Sequence, residues 1–471
     1  MTPPTLLFCD VLLLTTVLLW VVCNVAEKRV PTFSRWIVGS LATLGILSVF
    51  QLINAQPDPA NGREASWWPG TIDRTASLYA FRHGVALGLT LLVFIDLASD
   101  RTVRWWMLRV IALSGLIVAL IGISQRAGNS PAMLWSTPEQ SGNWFFGAFH
   151  YHANAGAFLN LCWPAALALW LKYCHQEGSG FHRSLWLSVL FITFLAVFVN
   201  TSKGAQLIAF VLFAIVLIRF QKVIFWKDRN WKVTGASAMA IVIAGFFLIL
   251  PGIMTMQDRW SVAFQENGSF FGRLEMYFET IMLLPASGFW GTGAGTFRYL
   301  FPDFIGAEES GFSGIYLHAH HDYLQALVEW GVPGALALFL PVLVGLQRAI
   351  RRAQLTARCG SLEFSTSCAI IAVLGILAHA SFDFPCQVPA IQIVGLAFLS
   401  FLWSGNAPRS QHHAPSLSEV SEDSPEPEVD AAEAEAEAER EMKGDEWDDA
   451  EFDWKEGDAQ FSSEKSRLER K

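Results

Sequence analysis

The sequence predicts an all-α fold, a polytopic bundle of about eleven or twelve transmembrane helices. The chain is 52% hydrophobic and only 16% charged, whereas soluble domains are about a quarter charged. Apolar segments of roughly 17–25 residues recur along it, the length that crosses a bilayer as a helix. Lysine and arginine concentrate in every second loop between these segments, as membrane topology requires. These observations exclude a soluble globular domain.

The apolar segments define the predicted spans. The hydrocarbon core of a bilayer is about 30 Å thick, so a helix needs about 20 residues to cross it. The segments are 6–25, 36–53, 78–97, 105–123, 151–171, 185–200, 204–218, 233–251, 322–347, 366–382 and 388–404. The pair between 185 and 218 is short for this task. The first segment can act as the insertion signal, so a cleavable signal is not needed.

The positive charges predict the orientation. One alternating set of loops contains most of them, including Lys28, Arg101, Lys172, Arg219 and Arg348. The other set is longer in total and contains few. The positive-inside rule places the first set in the cytoplasm. We therefore expect the N-terminus and a large loop, about 252–321, on the outer face, and the C-terminus in the cytoplasm.

The chain divides at about residue 404 into a multi-span domain, 1–404, and an acidic tail, 405–471. The tail holds 21 Asp and Glu against 8 Lys and Arg, so it accounts for the net charge of −9 of the whole chain. Its low content of aliphatic residues predicts a disordered, solvated cytoplasmic segment. Trp447, Phe452 and Trp454 could form a short binding segment for a cytoplasmic partner. No nucleic-acid partner is expected.

Five polar segments fall on the predicted outer face. They are FFGAFHYHANAGAFLN (145–160), NTSKGAQ (200–206), residues 270–297, HAHHDYLQALVEWG (318–331) and HASFDFPCQVPA (379–390). Each polar residue taken alone is explained by helix capping or by anchoring at the lipid headgroups. Because all five segments end at similar depth, their convergence favours one site. The glycines of GTGAGTF (291–297) miss the G-x-G-x-x-G spacing, and we interpret them as a tight turn that permits close backbone approach.

A metal centre is one alternative for the histidines. His150, His152, His318, His320 and His321 offer enough imidazole for zinc or copper, with Asp322 beside them. No H-E-x-x-H helix accompanies them, and arginine and lysine stand where a metal site would need acids. No metal is therefore expected.

The histidine stretch and its surroundings resemble the O-antigen ligase/polymerase family. His320-His321-Asp322-Tyr323-Leu324-Gln325, followed by Glu329, Gly331 and Gly334, resembles the family signature HNxYLQ…E.G..G. Gly272-Arg273, the glycine-rich loop from Pro285 to Phe297 and HxxxDFPxxxPA at 379–390 resemble further family elements. Upstream, NTSKG resembles the family's SRG motif and HYHAN…AG its NxN…AG helix start. The resemblance covers about residues 140–400.

The resemblance implies a GT-C-like glycosyltransferase of the bacterial inner membrane. Such an enzyme transfers a glycan from undecaprenyl diphosphate to an acceptor hydroxyl on the periplasmic face, without a metal or a nucleotide sugar. The acceptor is lipid A-core for a ligase and a growing glycan for a polymerase, and protein O-glycosylation also occurs in the family. Two positions depart from the pattern: His321 replaces an asparagine, and Lys203 replaces the arginine of SRG. A lysine is a point charge where an arginine would bind a diphosphate through two parallel bonds.

The residue types suit this chemistry. A neutral histidine can remove the proton of an acceptor hydroxyl near pH 7. Cationic groups at a membrane surface can stabilise a departing diphosphate, because the dielectric falls there. His320 is the candidate base and Arg273 the second candidate catalytic residue. The candidate substrate-binding residues are Lys203, His318, His321, Asn154, Arg298 and Asp383.

A transporter or flippase of lipid-linked glycan, with histidines that carry protons, is the alternative of another class. Transporters place ionisable groups near the membrane midplane and contain internal repeats. Here the polar groups cluster at one face. Arg82-His83, inside the third predicted span, is the feature that favours transport.

Overall fold

The computed structural model describes residues 3–55, 68–130, 132–135, 145–176, 179–226, 269–305, 317–358 and 363–404. The described residues are helical apart from connecting turns and one isolated β-bridge between Phe146 and Phe149. The helices are α1 (Pro3–Ala26), α2 (Arg35–Ile53), α3 (Arg74–Leu97), α4 (Arg101–Ala127), α5 (His152–Cys174), α6 (Gly180–Val199), α7 (Lys203–Trp226), α8 (Ser269–Ser287), α9 (Phe297–Phe304), α10 (Asp322–Arg358), α11 (Phe364–Ala380) and α12 (Pro389–Trp403).

Ten of the eleven predicted spans coincide with helices, and the eleventh, 233–251, lies outside the described residues. Eight described helices are long and apolar enough to cross a membrane, and α11 and α12 are shorter apolar helices. The prediction of a polytopic helical membrane protein is confirmed. The acidic tail lies outside the described residues, as do 252–268 and 306–316 of the predicted outer loop, whereas α8 and α9 fall within that loop.

Helix α5 lies at the centre of the bundle. In its most apolar stretch of 18 residues, 94% of the residues are buried, against 11% in the corresponding stretch of α1. Close packing on α5 depends on small residues: a Cβ added to Gly115 of α4 would lie 2.3 Å from the Cβ of Cys162. A Cβ added to Gly156 would lie 2.4 Å from that of Ala205 on α7. Small residues let helix backbones approach in lipid, where van der Waals contact drives association.

Helix α10 is interrupted at Gly331, whose φ of 62° lies in the left-handed region. Pro333 has no N–H for the carbonyl of Glu329 four residues earlier. The glycine-rich loop 288–296 supplies donors to two carbonyl groups at the kink. Gly293 N–H donates to Glu329 C=O at 2.9 Å, and Thr292 N–H donates to Val328 C=O at 2.9 Å. The kink thereby provides the docking place of the loop.

The side chain of Glu329 completes this attachment. Its carboxylate accepts the backbone N–H of Gly295 at 3.0 Å and that of Phe297 at 3.2 Å, and Gln325 Nε2 at 3.1 Å. Gly291, Gly293 and Gly295 all have positive φ. The loop approaches its neighbours as closely as its sequence predicts, since a Cβ at Gly293 would lie 2.1 Å from Thr71 Oγ1.

Candidate active site

Four separate parts of the chain meet around one carboxylate. Tyr151 precedes α5, Arg273 lies in the first turn of α8, His320 precedes α10, and Asp383 lies in the turn between α11 and α12. The described hydrogen bonds join all four residues into one cluster. Three of them, Arg273, His320 and Asp383, are candidate residues from the sequence.

Asp383 bridges the imidazole and the guanidinium. One carboxylate oxygen lies 3.0 Å from His320 Nδ1, and the other lies 3.4 Å from Arg273 Nη2. The Asp383 side chain is 6% exposed, whereas those of His320 and Arg273 are 28% and 33% exposed. Burial alone would raise the pKa of Asp383, but the hydrogen bond with His320 and the charge of Arg273 hold this pKa below its ordinary value. Asp383 is therefore a buried anion beneath two accessible nitrogen groups.

The backbone of His320 is held in an unusual conformation. Its φ is 50°, in the left-handed region that non-glycine residues seldom adopt. The Tyr277 hydroxyl donates to the His320 carbonyl at 2.8 Å, and the neighbouring Ala319 N–H donates to Gln325 Oε1 at 3.2 Å. These bonds offset a backbone strain of about 1–3 kcal/mol. This backbone conformation determines the direction in which the imidazole projects from the chain.

Arg273 is held from two sides. Besides Asp383, its Nη2 donates to the Tyr151 hydroxyl at 2.9 Å. Burial, and then the charge of Asp383, raises the pKa of Tyr151, so this phenol is neutral at physiological pH. Among the described residues the hydrogen bonds of Arg273 involve Nη2 alone. The remaining N–H groups of the fork can serve a ligand.

Phe384 organises the aromatic wall of the cluster. Its ring stacks on Tyr151 at 5.6 Å and on His318 at 4.4 Å between centroids, and it meets the edge of His320 at 4.8 Å. Tyr151 and His320 also meet edge to face at 6.1 Å. Offset and edge-on ring pairs of this kind contribute about 0.5–1.5 kcal/mol each. The imidazole of His320 is thus fixed by ring contacts as well as by Asp383.

A cavity of about 740 Å³ opens beside the cluster. Its wall is largely apolar, with a few polar side chains, a composition typical of ligand sites. Asn154 lies in this wall and is 7% exposed, and its Oδ1 has no hydrogen-bond donor among the described residues. The lining residues are Val118, Ala148, Phe149, His150, Tyr151, Asn154, Phe158, Met276, Leu317, His318, His320, Phe384, Gln387, Val388, Pro389 and Ala390.

The two histidines that flank His320 have different surroundings. His318 faces the cavity and contacts Gln325 Nε2 at 3.4 Å through Nδ1. Burial, and after it the nearby His320, lowers the pKa of His318 to about 4, so this ring is neutral near pH 7. His321 Nδ1 accepts the N–H of Leu324 at 3.3 Å and caps α10, and burial lowers its pKa.

Lys203 and Arg298 belong to other elements, α7 and α9, and the charge of Arg298 contributes, after burial and His320, to the lowered pKa of His318. Lys203 is the first residue of α7 and follows a turn fixed by Asn200, whose Nδ2 donates to His152 C=O at 2.7 Å. Arg298 lies on α9, with its guanidinium 5.4 Å from the centre of the Tyr299 ring. Neither residue is among those that line the cavity. Their predicted contact with a substrate stays a prediction, as does that of Arg273 and Asp383, which also lie outside the cavity lining.

Two aromatic residues at the cluster, Tyr151 and Phe384, were not singled out from the sequence, whereas Tyr277 is one of the aromatic residues of the predicted outer loop that could stack on sugar rings. Each lies in a segment that the sequence marks as polar and outer-facing, but aromatic residues are common at membrane interfaces and give no distinct signal. Within the described ranges, His, Cys, Asp and Glu form no group of three or more positioned to hold a metal ion. The histidines of 150–152 and 318–321 do not assemble there into the alternative metal site.

Comparison with known protein families identifies one match. The model of the O-Antigen ligase family matches residues 188–339, which is less than half of the chain. The matched region contains Lys203, Arg273, Arg298 and all three histidines of 318–321, whereas Asn154 and Asp383 lie outside it. No curated protein matches the chain. The family match supports assignment to the O-antigen ligase/polymerase family and an O-antigen ligase-type function in general.

Proposed function

We propose that this membrane protein of the O-antigen ligase/polymerase family transfers a glycan from undecaprenyl diphosphate to an acceptor hydroxyl, with His320 as base. The proposal is supported by the cluster of His320, Asp383 and Arg273 beside a ligand-sized cavity. The family match supports the general class of reaction. The donor, the base and the phosphate contacts are parts of the proposal.

His320 removes the acceptor proton. Its Nδ1 lies against the anionic Asp383, which favours the tautomer with the proton on Nδ1 and the lone pair on Nε2. Nε2 takes the proton from the acceptor hydroxyl as the oxygen attacks the anomeric carbon. Asp383 then stabilises the imidazolium that forms. A positioned base of this kind accelerates a reaction by about 10²–10⁴-fold.

Arg273 stabilises the leaving group. As the bond between the anomeric carbon and the phosphate oxygen breaks, undecaprenyl diphosphate departs with the bonding electron pair and gains negative charge. A guanidinium beside that oxygen stabilises this charge, and it needs no reorganisation because Tyr151 and Asp383 already hold it. Direct displacement inverts the anomeric configuration. Lys203 is proposed as a further phosphate contact, in the place of the family's arginine.

The cavity is proposed to bind sugar. Asn154 Oδ1 is a buried acceptor without a described donor, and a sugar hydroxyl would satisfy it. Phe149, Phe158 and Phe384 offer flat apolar faces on which pyranose rings can pack. The acceptor thus lies against the aromatic wall with its hydroxyl directed to His320.

The proposed location is the bacterial inner membrane, with the site on the periplasmic face. This orientation rests on the excess of positive charge in the alternate loops. Lipid-linked glycans are large and polar, and a site at one membrane surface avoids moving them through hydrocarbon during transfer.

The cluster of His320, Asp383 and Arg273 is the observation that carries the proposal, and His320→Asn tests it. Asparagine tolerates the left-handed backbone of this position better than alanine does. His320→Asn should abolish transfer of glycan from a purified lipid-diphosphate donor, with normal membrane abundance. His321→Asn, which conserves a capping side chain, should retain transfer within about tenfold. Wild-type rates in His320→Asn would remove His320 as the base.

Surface glycans separate the two forms of the reaction. Deletion of the gene should leave full-length lipid-linked polymer if the protein is a ligase, and single lipid-linked repeats if it is a polymerase. Transfer by purified protein in detergent, where no membrane separates two sides, distinguishes a transferase from the alternative transporter. Failure of transfer in detergent together with loss of surface glycan would favour transport.

A further inference from the structure

A second cluster of ionisable residues lies inside the spans, away from the cavity. Asp10 of α1 is 1% exposed and contacts two side chains of α3. Arg82 Nε donates to one of its oxygens at 2.7 Å, and His83 Nδ1 lies 2.6 Å from the other. Groups of this kind are costly in a membrane and are retained for a reason. The transfer chemistry uses none of them.

The hydrogen bonds of this cluster place an acceptor at each ring nitrogen of His83. Gln392 of α12 donates from Nε2 to the Cys386 carbonyl at 2.7 Å, so its Oε1 is the atom that faces His83 Nε2 at 2.8 Å. The opposite amide orientation would place two acceptors together. Asp10 Oδ1 faces the other ring nitrogen, and Arg82 Nε holds Asp10 Oδ2. The ring of His83 therefore joins the side chains of Asp10 on α1 and Gln392 on α12.

This chain of bonds ends at the turn that carries Asp383. Cys386, whose carbonyl accepts from Gln392, also donates its N–H to Asp322 Oδ2 at 2.8 Å. The turn is thus tied from two sides, by Asp322 at the start of α10 and by Gln392 at the start of α12. Phe384 and Asp383 lie two and three residues before Cys386.

We propose that His83, held by Asp10 and acting through Gln392, is a positioning residue that anchors the 383–387 turn and thereby sets Asp383 and Phe384 against His320. The inference rests on the proposed transfer reaction for its effect on rate. The anchoring itself is a property of the fold and is measured without substrate.

Gln392→Leu is the decisive variant, since it removes the described hydrogen-bonded link between the ion cluster and Cys386 and leaves Asp10, Arg82 and His83 in contact. Hydrogen exchange at Cys386 and Gln387 should become about tenfold faster, the size expected from one lost hydrogen bond. The kcat of transfer should fall about tenfold or more, with little change in the KM of the acceptor, because displacement of a catalytic group acts on the chemical step.

Gln51→Leu is the matched control for exchange. Gln51 of α2 is buried, whereas Gln392 is partly buried, and Gln51 donates from Nε2 to the Trp290 carbonyl at 3.0 Å, in the glycine-rich loop. Its loss should accelerate exchange in 288–293 and leave 383–387 unchanged. General loosening of the bundle would accelerate both segments in both variants and would overturn the proposal.

His83→Leu tests whether the chain acts as one unit. Its effects on exchange at 383–387 and on kcat should equal those of Gln392→Leu, and the double variant should be no worse than either single one. If the reductions in kcat of the two single variants multiply in the double variant, the two residues act separately, and this result would overturn the role of His83. Unchanged exchange at Cys386 in Gln392→Leu would overturn the anchor itself. A wild type that binds donor but does not transfer would contradict the proposed function, and the exchange result would still decide the anchor.

Discussion

Asp383 contacts His320 through one carboxylate oxygen and Arg273 through the other, so we expect its negative charge to contribute more than its size. Asparagine at this position keeps the size of the side chain but loses the anion that stabilises the imidazolium and holds Arg273. Asp383→Asn should lower kcat by roughly 10²–10⁴-fold, as loss of the carboxylate partner of a catalytic histidine does elsewhere. Single-turnover transfer measures it. Asp303→Asn, an exposed aspartate of α9, is the control and should transfer at the wild-type rate.

The Tyr151 hydroxyl accepts a hydrogen bond from Arg273 and is neutral, because burial raises its pKa. Tyr151→Phe conserves the stack on Phe384 and removes one of the two partners of the guanidinium. We expect kcat to fall roughly 10- to 100-fold, the value of one hydrogen bond to a charged group. Tyr299→Phe, which changes an exposed tyrosine, should have no effect. Equal rates in both variants would mean that Asp383 alone orients Arg273.

Acidification should destabilise the protein through His318. Burial lowers the pKa of His318 to about 4, whereas an unfolded chain has an ordinary histidine pKa of about 6.5. Between these values the unfolded chain binds a proton that the folded chain does not, so the free energy of unfolding decreases as the pH falls through this window. Wild type and His318→Gln should differ by a constant amount in Tm above pH 7, and His318→Gln should lose less as the pH falls to 5. Parallel curves would contradict the assignment.

The residues of the cluster were predictable as a set, but their contacts were not. Arg273, His320 and Asp383 follow from motifs and from loops that reach one membrane face. Nothing in the sequence reports that one carboxylate bridges the other two side chains, because Arg273 and Asp383 are 110 residues apart. Charge and motif favour Lys203 and Arg298 as well, and their contact with the substrate stays a prediction.

At the scale of elements, the glycine-rich loop and the kink of α10 depend on each other. Gly293 has φ 100°, and an added Cβ would lie 2.1 Å from Thr71 Oγ1. Gly288 has φ 71° with open space around it. Gly288→Ala should therefore cost only the backbone strain, about 1–2 kcal/mol. Gly293→Ala adds a steric clash and should lower Tm much further or prevent folding. The Tm values of the two purified variants then compare the cost of backbone strain alone with the cost of strain and a steric clash together.

Helices α8 and α9 show what element prediction missed. Residues 269–287 include Arg273, Glu275 and Glu279, so the segment is too polar to resemble a span, and the sequence predicts it as part of the outer loop. Its order comes from tertiary contact: Leu283 packs with Phe297, Phe301, Ala319 and Val328 in a small separate core. Those partners are distant in sequence, and a pattern within the segment cannot report them.

Over the whole molecule, apolar length was a reliable guide because the bilayer sets one length for every span. Charged and polar residues fixed several of the ends, since Asp73 and Asp100 cap α3 and α4 by accepting backbone N–H groups. The central position of α5 was not predictable from hydropathy, because its mean hydropathy of 1.2 is the lowest among the candidate spans. Its burial follows instead from small residues that admit its neighbours.

The orientation of the whole chain is tested by reporter fusions. A fusion at residue 300 should report the outer side, and fusions at 225 and 440 the cytoplasm, because the alternate loops differ in positive charge. A cytoplasmic signal at 300 would place the cavity on the wrong face for the proposed donor.

The acidic tail is predicted to lie across the membrane from the site. Removal of residues 410–471 should leave insertion and transfer near the wild-type level, as measured by membrane abundance and single-turnover rate. Loss of transfer at normal abundance would show that the tail recruits a required cytoplasmic partner.

The carboxylate of Glu329 also bears on inhibitor design. A glycine-rich loop offers backbone N–H groups of the kind that bind nucleotide phosphates elsewhere. In this protein the N–H groups of Gly295 and Phe297 already bind a carboxylate from the same chain. A nucleotide-sugar mimic would have to expel a side chain that is 4% exposed before it could bind there. Screening collections built on nucleotide scaffolds should therefore yield few hits, whereas diphosphate isosteres with a long aliphatic tail, designed for the proposed contact with Arg273, would leave the contacts of Glu329 in place.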